Sequence, residues 1–347
     1  MLQALGCLLG RSAFDGAHHT FIFDNWPATL ALYWRLDYSR IQNARISTTV
    51  LADSLEQLDP LPEADCAMAW TLESNWNPTR LMEIAQAVDT STGATEVTTD
   101  AGRAYIKPMG NRQGPHVLAT DWVGTHLAKW FGLSTFEIAI LRVETAEVFD
   151  LPRGAKAEPG PAFVARAEAG DAWGGGSREL ETIVNPEDIT RLVVFDTWTL
   201  NCDRHYFDPA VRRPNYANVF LSSEDVEEDR TRLIAMDHGL CFIRSGEDLS
   251  TKLAHIDKLR DQHVYGLFPA FRGRLRGDII RDCVTRLREV ESGTVAAMIA
   301  TVPREWDVSD QVRLAWRELI CRRAGFTADH VENWIERDVS WFATPGG

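Results

Sequence analysis

Three polar groups stand beside apolar runs between residues 194 and 242. Asp203-Arg204-His205 follows a helical stretch, Asn218 opens Val219-Phe-Leu, and Asp237-His238-Gly239 closes Leu233-Ile-Ala-Met. Two carboxylates and a carboxamide suit Mg²⁺ held against phosphate oxygens, because this hard ion takes few protein oxygens and completes its shell with substrate and water. An antiparallel pair of strands joined by the acidic turn at 222–230 would bring Asn218 and Asp237 together. Asp203 ends a helix, where the dipole disfavours a carboxylate, so a role in orienting an acceptor hydroxyl or taking its proton suggests itself. The chemistry implied is phosphoryl transfer, which needs positioning and charge neutralisation more than a strong protein nucleophile.

Upstream, residues 89–108 read as a small-residue loop around Thr92 and Gly93, then a hairpin that turns at Asp100-Ala-Gly102 and ends in Lys107. Such a loop can bring backbone N–H groups close to nucleotide phosphates, although most are plain turns. Lys107 at a hairpin end is ordinarily solvated. Asp121, in the first turn of a helix capped by Thr120, either complements the helix dipole or pairs with Lys107 and holds it on phosphates. Asp-Arg-His alone reads equally well as a salt-bridged turn, and Asp-His-Gly as an ordinary one. His205 and His238 could join the aspartates in a hydrolytic metal site, but neither a His-x-x-x-His pair nor a third clustered His is nearby. The order Lys107, Asp121, Asp203, Asn218, Asp237 is what sets the chain apart.

The elements that must position these groups can be outlined. Asn77-Pro78 opens a helix to residue 88, and a helix at 121–131 ends at Gly132. Strands follow at 133–143 and 162–165, with an exposed loop at 151–161 between them. Residues 167–178, AEAGDAWGGGSR, form a flexible glycine-rich hinge. Asn185-Pro186-Glu-Asp starts a buried helix that runs to about Leu200 and delivers the Asp203 loop, with Asp196 as a structural brace. An amphipathic helix at 309–323 stops before Gly325, and Thr327 caps a last one to about residue 342. The basic stretch Arg272-Gly-Arg-Leu-Arg-Gly277 reads as a solvated loop. Residues 1–75 suggest strands at 20–23 and 28–36 and a helix at 51–58, without chemistry.

The chain has 347 residues, 45% of them hydrophobic and 25% charged, as a folded globular protein should. A net charge of −14 argues against binding nucleic acid or an anionic membrane directly. Six scattered cysteines without a C-x-x-C pair fit reduced thiols, and no apolar run reaches the roughly 20 residues of a membrane helix. The apolar start MLQALGCLLG lacks the basic region of a signal peptide. The expected location is the cytoplasm.

From about residue 80 onward the chain resembles the HipA-like branch of the protein-kinase/phosphatidylinositol-kinase superfamily. The resemblance rests on Tyr105-Ile-Lys107, the stretch from Thr120-Asp121 to Gly132-Leu133, Phe195-Asp-Thr-Trp-Thr-Leu-Asn-Cys-Asp-Arg-His205, Asn218-Val-Phe-Leu221 and Ile234-Ala-Met-Asp-His-Gly239. It implies an α+β, two-lobed protein-kinase-like fold. A β-rich N-lobe at 76–166 and a helical C-lobe at 167–347 would follow an accessory α+β unit at 1–75. Lys107 would bind ATP phosphates, with Thr92, Gly93 and Asp121 around the nucleotide. Asp203 would be the catalytic aspartate, and Asn218 and Asp237 would ligate Mg²⁺. The acceptor implied is a serine or threonine hydroxyl of a protein, with autophosphorylation, and a DNA-binding antitoxin-like partner is possible. Alternatives are a lipid or small-molecule kinase and a pseudokinase that serves as a nucleotide-binding module. Two departures matter. The family's glutamate is here Asp121, one methylene shorter, and residues 206–216 are inserted after Asp203. The insertion leaves Asn215 as a rival to Asn218, which is preferred because it abuts the strand.

Overall fold

The structure, a computed structural model, describes residues 13–15, 18–20, 76–87, 94–208 and 210–341. The chain divides into two compact units, Met1–Asp59 and Pro60–Gly347. Described in the first are two short antiparallel strands, β1 (Ala13–Asp15) and β2 (His18–Thr20), with Ala13 opposite Thr20. The elements expected at 20–23, 28–36 and 51–58 lie outside the described residues, save Thr20.

The second unit combines an antiparallel sheet with several helices. The sheet comprises β3 (Leu81–Ala87), β4 (Thr95–Thr99), β5 (Gly102–Met109), β6 (Ile138–Val143) and β7 (Glu158–Arg166), in the order β3-β4-β5-β7-β6. Period-two alternation sends Val97, Ala104, Ile106, Leu141 and Val164 into one buried layer with Trp76. The helix expected at 77–88 is therefore a strand. Its helix-forming residues are overruled from outside, by pairing with β4 and by the Asp100 carboxylate, which accepts the backbone N–H groups of Thr79 (2.8 Å) and Arg80 (3.1 Å). Likewise the loop expected to reach residue 161 ends at Glu158, where β7 pairs with β6 and β5.

Helix α1 (His116–Phe131) begins five residues before the predicted start, immediately after Pro115. Thr120 is an interior residue of α1, its hydroxyl bonded back to the Val117 carbonyl (3.0 Å), while Gly132 ends the helix in the left-handed region as expected. Residues 167–178 are not a loose crossing. They hold β8 (Gly170–Ala172), which pairs with β9 (Val219–Ser222), and Trp173, buried and stacked on Phe271. Helix α2 (Glu187–Thr199) is followed by β9 and its antiparallel partner β10 (Arg232–Ala235). The basic stretch expected as a loop begins within a 3-10 helix, Pro269–Arg274, from which Arg274 donates to the Ser177 carbonyl at 2.8 Å.

The remaining helices are α3 (Ile256–Leu259), α4 (Gly277–Arg288), α5 (Ser292–Ala300) and the 32-residue α6 (Asp310–Trp341). Two helices were expected where α6 runs unbroken. Gly325 weakens a helix by about 1 kcal/mol, but Leu319, Ile320, Arg323, Ala324, Thr327, Ala328 and Val331 form a continuous buried face across it. Arg323, wholly buried, donates to the carbonyls of Thr197 (2.7 Å) and Trp198 (2.9 Å) at the end of α2 and to those of Lys258 (2.9 Å) and Asp261 (3.0 Å). These carbonyls include ones a helix end leaves unmatched, so α6 closes the last turn of α2. Between them packs a core of Phe131, Phe195, Trp198 and Trp316.

Besides His238, which burial and then Arg204 push well below its ordinary value, two histidines of this unit are held neutral. Burial, then Lys129, lowers His126 to about 4, and burial, then Arg272, lowers His205 to about 4. Their folded pKa values lie below the ordinary 6.5, so the stability they contribute is complete above pH 6.5 and is lost as pH falls toward 4. Each accounts for on the order of 3 kcal/mol across that window. Denaturant midpoints should therefore fall steeply between pH 6.5 and 4, and His126→Gln with His205→Gln should flatten the slope. An unaltered slope would place the titration elsewhere.

Candidate active site

Lys107 stands on β5 opposite Phe163 of β7. Its ammonium lies 2.6 Å from Asp121 Oδ2 on α1 and 3.0 Å from Asp237 Oδ1 just beyond β10. The other Asp121 oxygen accepts the backbone N–H of His238 at 2.9 Å, so one carboxylate ties the sheet to the turn after β10. Burial alone would lower the lysine pKa, but Asp121 and then Asp237 reverse this and raise it above its ordinary value. In return Lys107 outweighs burial at Asp237 and lowers that carboxyl. The shorter acid reaches because α1 lies close on the turn. A Cβ on Gly124 would stand 2.6 Å from the His238 Cβ, and one on Gly239 would stand 2.7 Å from a Val117 methyl. Glycine at these two positions allows that close approach.

The Asp203 loop leaves α2 through Leu200, which adopts a left-handed conformation (φ 56°), a strain of roughly 1–2 kcal/mol for a side chain of this kind. Asp196 then braces the loop as predicted. Its Oδ1 accepts from Asn201 Nδ2 (3.2 Å), Asn201 Oδ1 accepts the Asp203 N–H (3.2 Å), and its Oδ2 accepts from Arg204 Nε (2.8 Å). Arg204 is fully buried, and its Nη1 donates to the carbonyls of both Asn218 and Met236 (2.8 Å to the latter). One guanidinium thus joins the α2 loop to the residue before β9 and the residue after β10. Sequence reading placed Arg204 only in a turn; its place eight residues after a buried helical aspartate was the available signal.

Asn218 Nδ2 donates to Asp203 Oδ2 at 2.7 Å, while Asn215 donates to Asn218 Oδ1 at 2.9 Å from the far side. Asn218, rather than Asn215, meets Asp203. Register pairs Val219 with Ala235, so Asn218 and Asp237 sit at the same end of the hairpin. Asp237 takes a left-handed conformation (φ 56°), which aspartate tolerates better than most residues. Burial and then the Asp237 charge raise the Asp203 pKa against the pull of Arg212, whose guanidinium contacts Asp203 Oδ1. Arg212 lies in the 206–216 stretch, and its contact was not foreseen. Thr92 and Gly93 lie outside the described residues.

The donor set fits an ion held jointly with phosphates. Asp237 and Asn218 bring hard oxygens to adjacent strand ends, the Asn218 oxygen accepting here from Asn215, so an ion would have to displace that bond or find the amide turned. Among the described residues no group of three or more His, Cys, Asp or Glu is placed to hold a metal alone. The histidines turn elsewhere. His238 Nδ1 meets the Thr125 hydroxyl at 3.1 Å, and the His205 ring packs against Phe268.

Asp196→Ala should leave the Arg204 charge buried without its carboxylate, at a cost of about 3–5 kcal/mol. Urea unfolding should show that loss, and the double substitution Asp196→Leu with Arg204→Met should recover most of it. A loss below about 1 kcal/mol for Asp196→Ala would mean that the brace is dispensable.

A comparison with curated proteins returned no match. Among solved structures, the Helicobacter pylori proinflammatory kinase CtkA is similar over 79% of this chain and 100% of its own, at 13% identity and a TM-score of 0.43. A double mutant of the Mycobacterium tuberculosis PknI kinase domain is similar over 65% of this chain and 95% of its own, at 15% identity and a TM-score of 0.21. The family model described as HipA-like kinase matches residues 83–333, which hold Lys107, Asp121, Asp203, Asn218 and Asp237. The chain belongs to the HipA-like kinase family.

Proposed function

We propose that this kinase is ATP- and Mg²⁺-dependent and transfers the γ-phosphate to a serine or threonine hydroxyl of a protein, itself included. The observation that carries the proposal is the continuous polar chain from Asp121 through Lys107 to Asp237, with Asn218 beside it on Asp203. In this scheme Lys107, kept charged by two carboxylates, binds phosphate oxygens. Asn218 and Asp237 would hold Mg²⁺, which when bound neutralises charge on the transferring group. Asp203 orients the acceptor hydroxyl. The hydroxyl oxygen bonds to the γ-phosphorus, the bond from phosphorus to the bridging oxygen breaks, ADP leaves, and the hydroxyl proton passes to the Asp203 carboxylate. The raised affinity of Asp203 for a proton suits it to that task.

The sheet and the helices would then be the two lobes, 76–166 and 167–347, with 1–75 as an accessory unit and Thr92-Gly93 over the phosphates. A cytoplasmic location and a DNA-binding antitoxin-like partner belong to the same proposal. Among the described residues, no helix is long and apolar enough to cross a membrane.

With labelled ATP and Mg²⁺, the full chain should label itself or a lysate protein, and chelation of the metal should stop it. Asp203→Asn should lower kcat by roughly a thousandfold while nucleotide affinity is retained. Lys107→Met should weaken nucleotide binding. A protein that binds ATP yet never transfers phosphate would be a binding module instead, and unchanged nucleotide affinity in Lys107→Met would remove that lysine from the phosphate site.

A further inference from the structure

The stretch inserted after Asp203 is built against the fold. Phe207 stacks on His263 with ring centroids 3.6 Å apart, Tyr206 packs on Tyr265, and the Asn215 N–H returns to the Arg204 carbonyl at 2.8 Å. A turn at Asp208, which accepts from the Val211 N–H (3.1 Å) and through its carboxylate from the Ala210 N–H (2.9 Å), presents Arg212 and Arg213. The Arg212 guanidinium sits on Asp203 Oδ1, with its Nη1 3.7 Å from Cys202 Sγ, and its side chain is 34% exposed against 15% for Asp203. Arg213 is exposed and, among the described residues, has no ion-pair or hydrogen-bond partner.

Both oxygens of Asp203 therefore already accept, Oδ2 from buried Asn218 and Oδ1 from Arg212. An acceptor hydroxyl must gain one of them, and Arg212, the more exposed partner, is the one that can turn away. It would not leave a carboxylate for water without losing an ion pair, but it can exchange one anion for another at little net change. In a chain of net charge −14, Arg212 on Asp203 and the exposed Arg213 next to it in sequence form a local exception to the prevailing charge.

We propose that Arg212 and Arg213 select the acceptor: the substrate is a protein segment with an acidic side chain near its serine or threonine, and that anion draws Arg212 from Asp203 and frees the carboxylate for the hydroxyl. This rests on the kinase proposal above and names the substrate class of the same site. The transfer itself is unchanged, with a phosphorus–oxygen bond made to the hydroxyl, one broken to ADP, and the proton delivered to Asp203.

The test is phosphate transfer by the full chain, with Mg²⁺ and ATP, into a serine/threonine peptide library whose flanking positions are aspartate, phosphoserine, alanine or lysine. Peptides flanked by aspartate should exceed those flanked by alanine in kcat/KM by roughly three- to tenfold, the worth of one partly exposed charge pair. Phosphoserine flanks that exceed aspartate would identify the anion as a phosphate and overturn the carboxylate assignment. Arg212→Glu should move the preference to lysine-flanked peptides, and Arg212→Lys should keep the acidic preference, with thermal midpoint and ATP binding as checks on folding. Equal gains for all peptides in Arg212→Glu would make the contact a simple latch. A raised KM for ATP with the flank preference unchanged would assign Arg212 to the nucleotide. Either result overturns the proposal, as does labelling of the protein but of no peptide. Transfer without flank preference overturns this proposal alone, whereas neither transfer nor ATP hydrolysis overturns the kinase proposal with it.

Discussion

A buried ammonium held between two carboxylates is the interaction on which this site depends. Lys107 comes from the sheet, Asp121 from α1 and Asp237 from the turn after β10, so three elements distant in sequence meet at one charge. A lysine taken out of water would shed its proton, and a carboxylate so placed would take one up, unless each found the other. The meeting is also directional. Asp121 spends its second oxygen on the His238 N–H, which fixes the turn carrying Asp237. The same group that keeps the lysine charged thereby aims its neighbour.

Arg204 does for the other half of the site what Asp121 does for the first. Its carboxylate partner lies inside α2, and its Nη1 closes on main-chain carbonyls flanking the β9–β10 pair. Arginine suits this place better than lysine would, because its planar fork reaches three acceptors in fixed directions and its charge survives burial. Asp203, Asn218 and Asp237 are thus placed by backbone tied to a common guanidinium, and their side chains are left to bond with one another and with Lys107, Asn215 and Arg212.

Much of this was legible in the sequence, for identifiable reasons. Lys107, Asp203, Asn218 and Asp237 each adjoin an apolar run, and the bracing role of Asp196 followed from residue type and position, whereas residue type alone left Asp121 between a helix-dipole role and a pair with Lys107. Local propensity failed where distant contacts decide. Residues 81–87 favour a helix until β4 and Asp100 supply other partners. The glycine-rich stretch at 167–178 looks loose until its strand is seen on β9, with Trp173 beneath it. Gly325 and Thr327 mimic a helix break because a buried face is invisible in one dimension. Arg204 left only its spacing from Asp196 as a signal, and Arg212 left none, because its partner depends on how a loop folds back.

Arg323 carries a consequence for the order in which the protein becomes complete. The carbonyls it satisfies close the last turn of α2, directly ahead of the Asp203 loop, yet it is made more than 120 residues after them. A nascent chain can form the sheet and the β9–β10 pair early, since their contacts are local by comparison. The last turn of α2 has these two carbonyls matched only once α6 has docked. The loop that carries Asp203 is therefore completed by a contact distant in sequence, whereas the sheet that carries Lys107 is not.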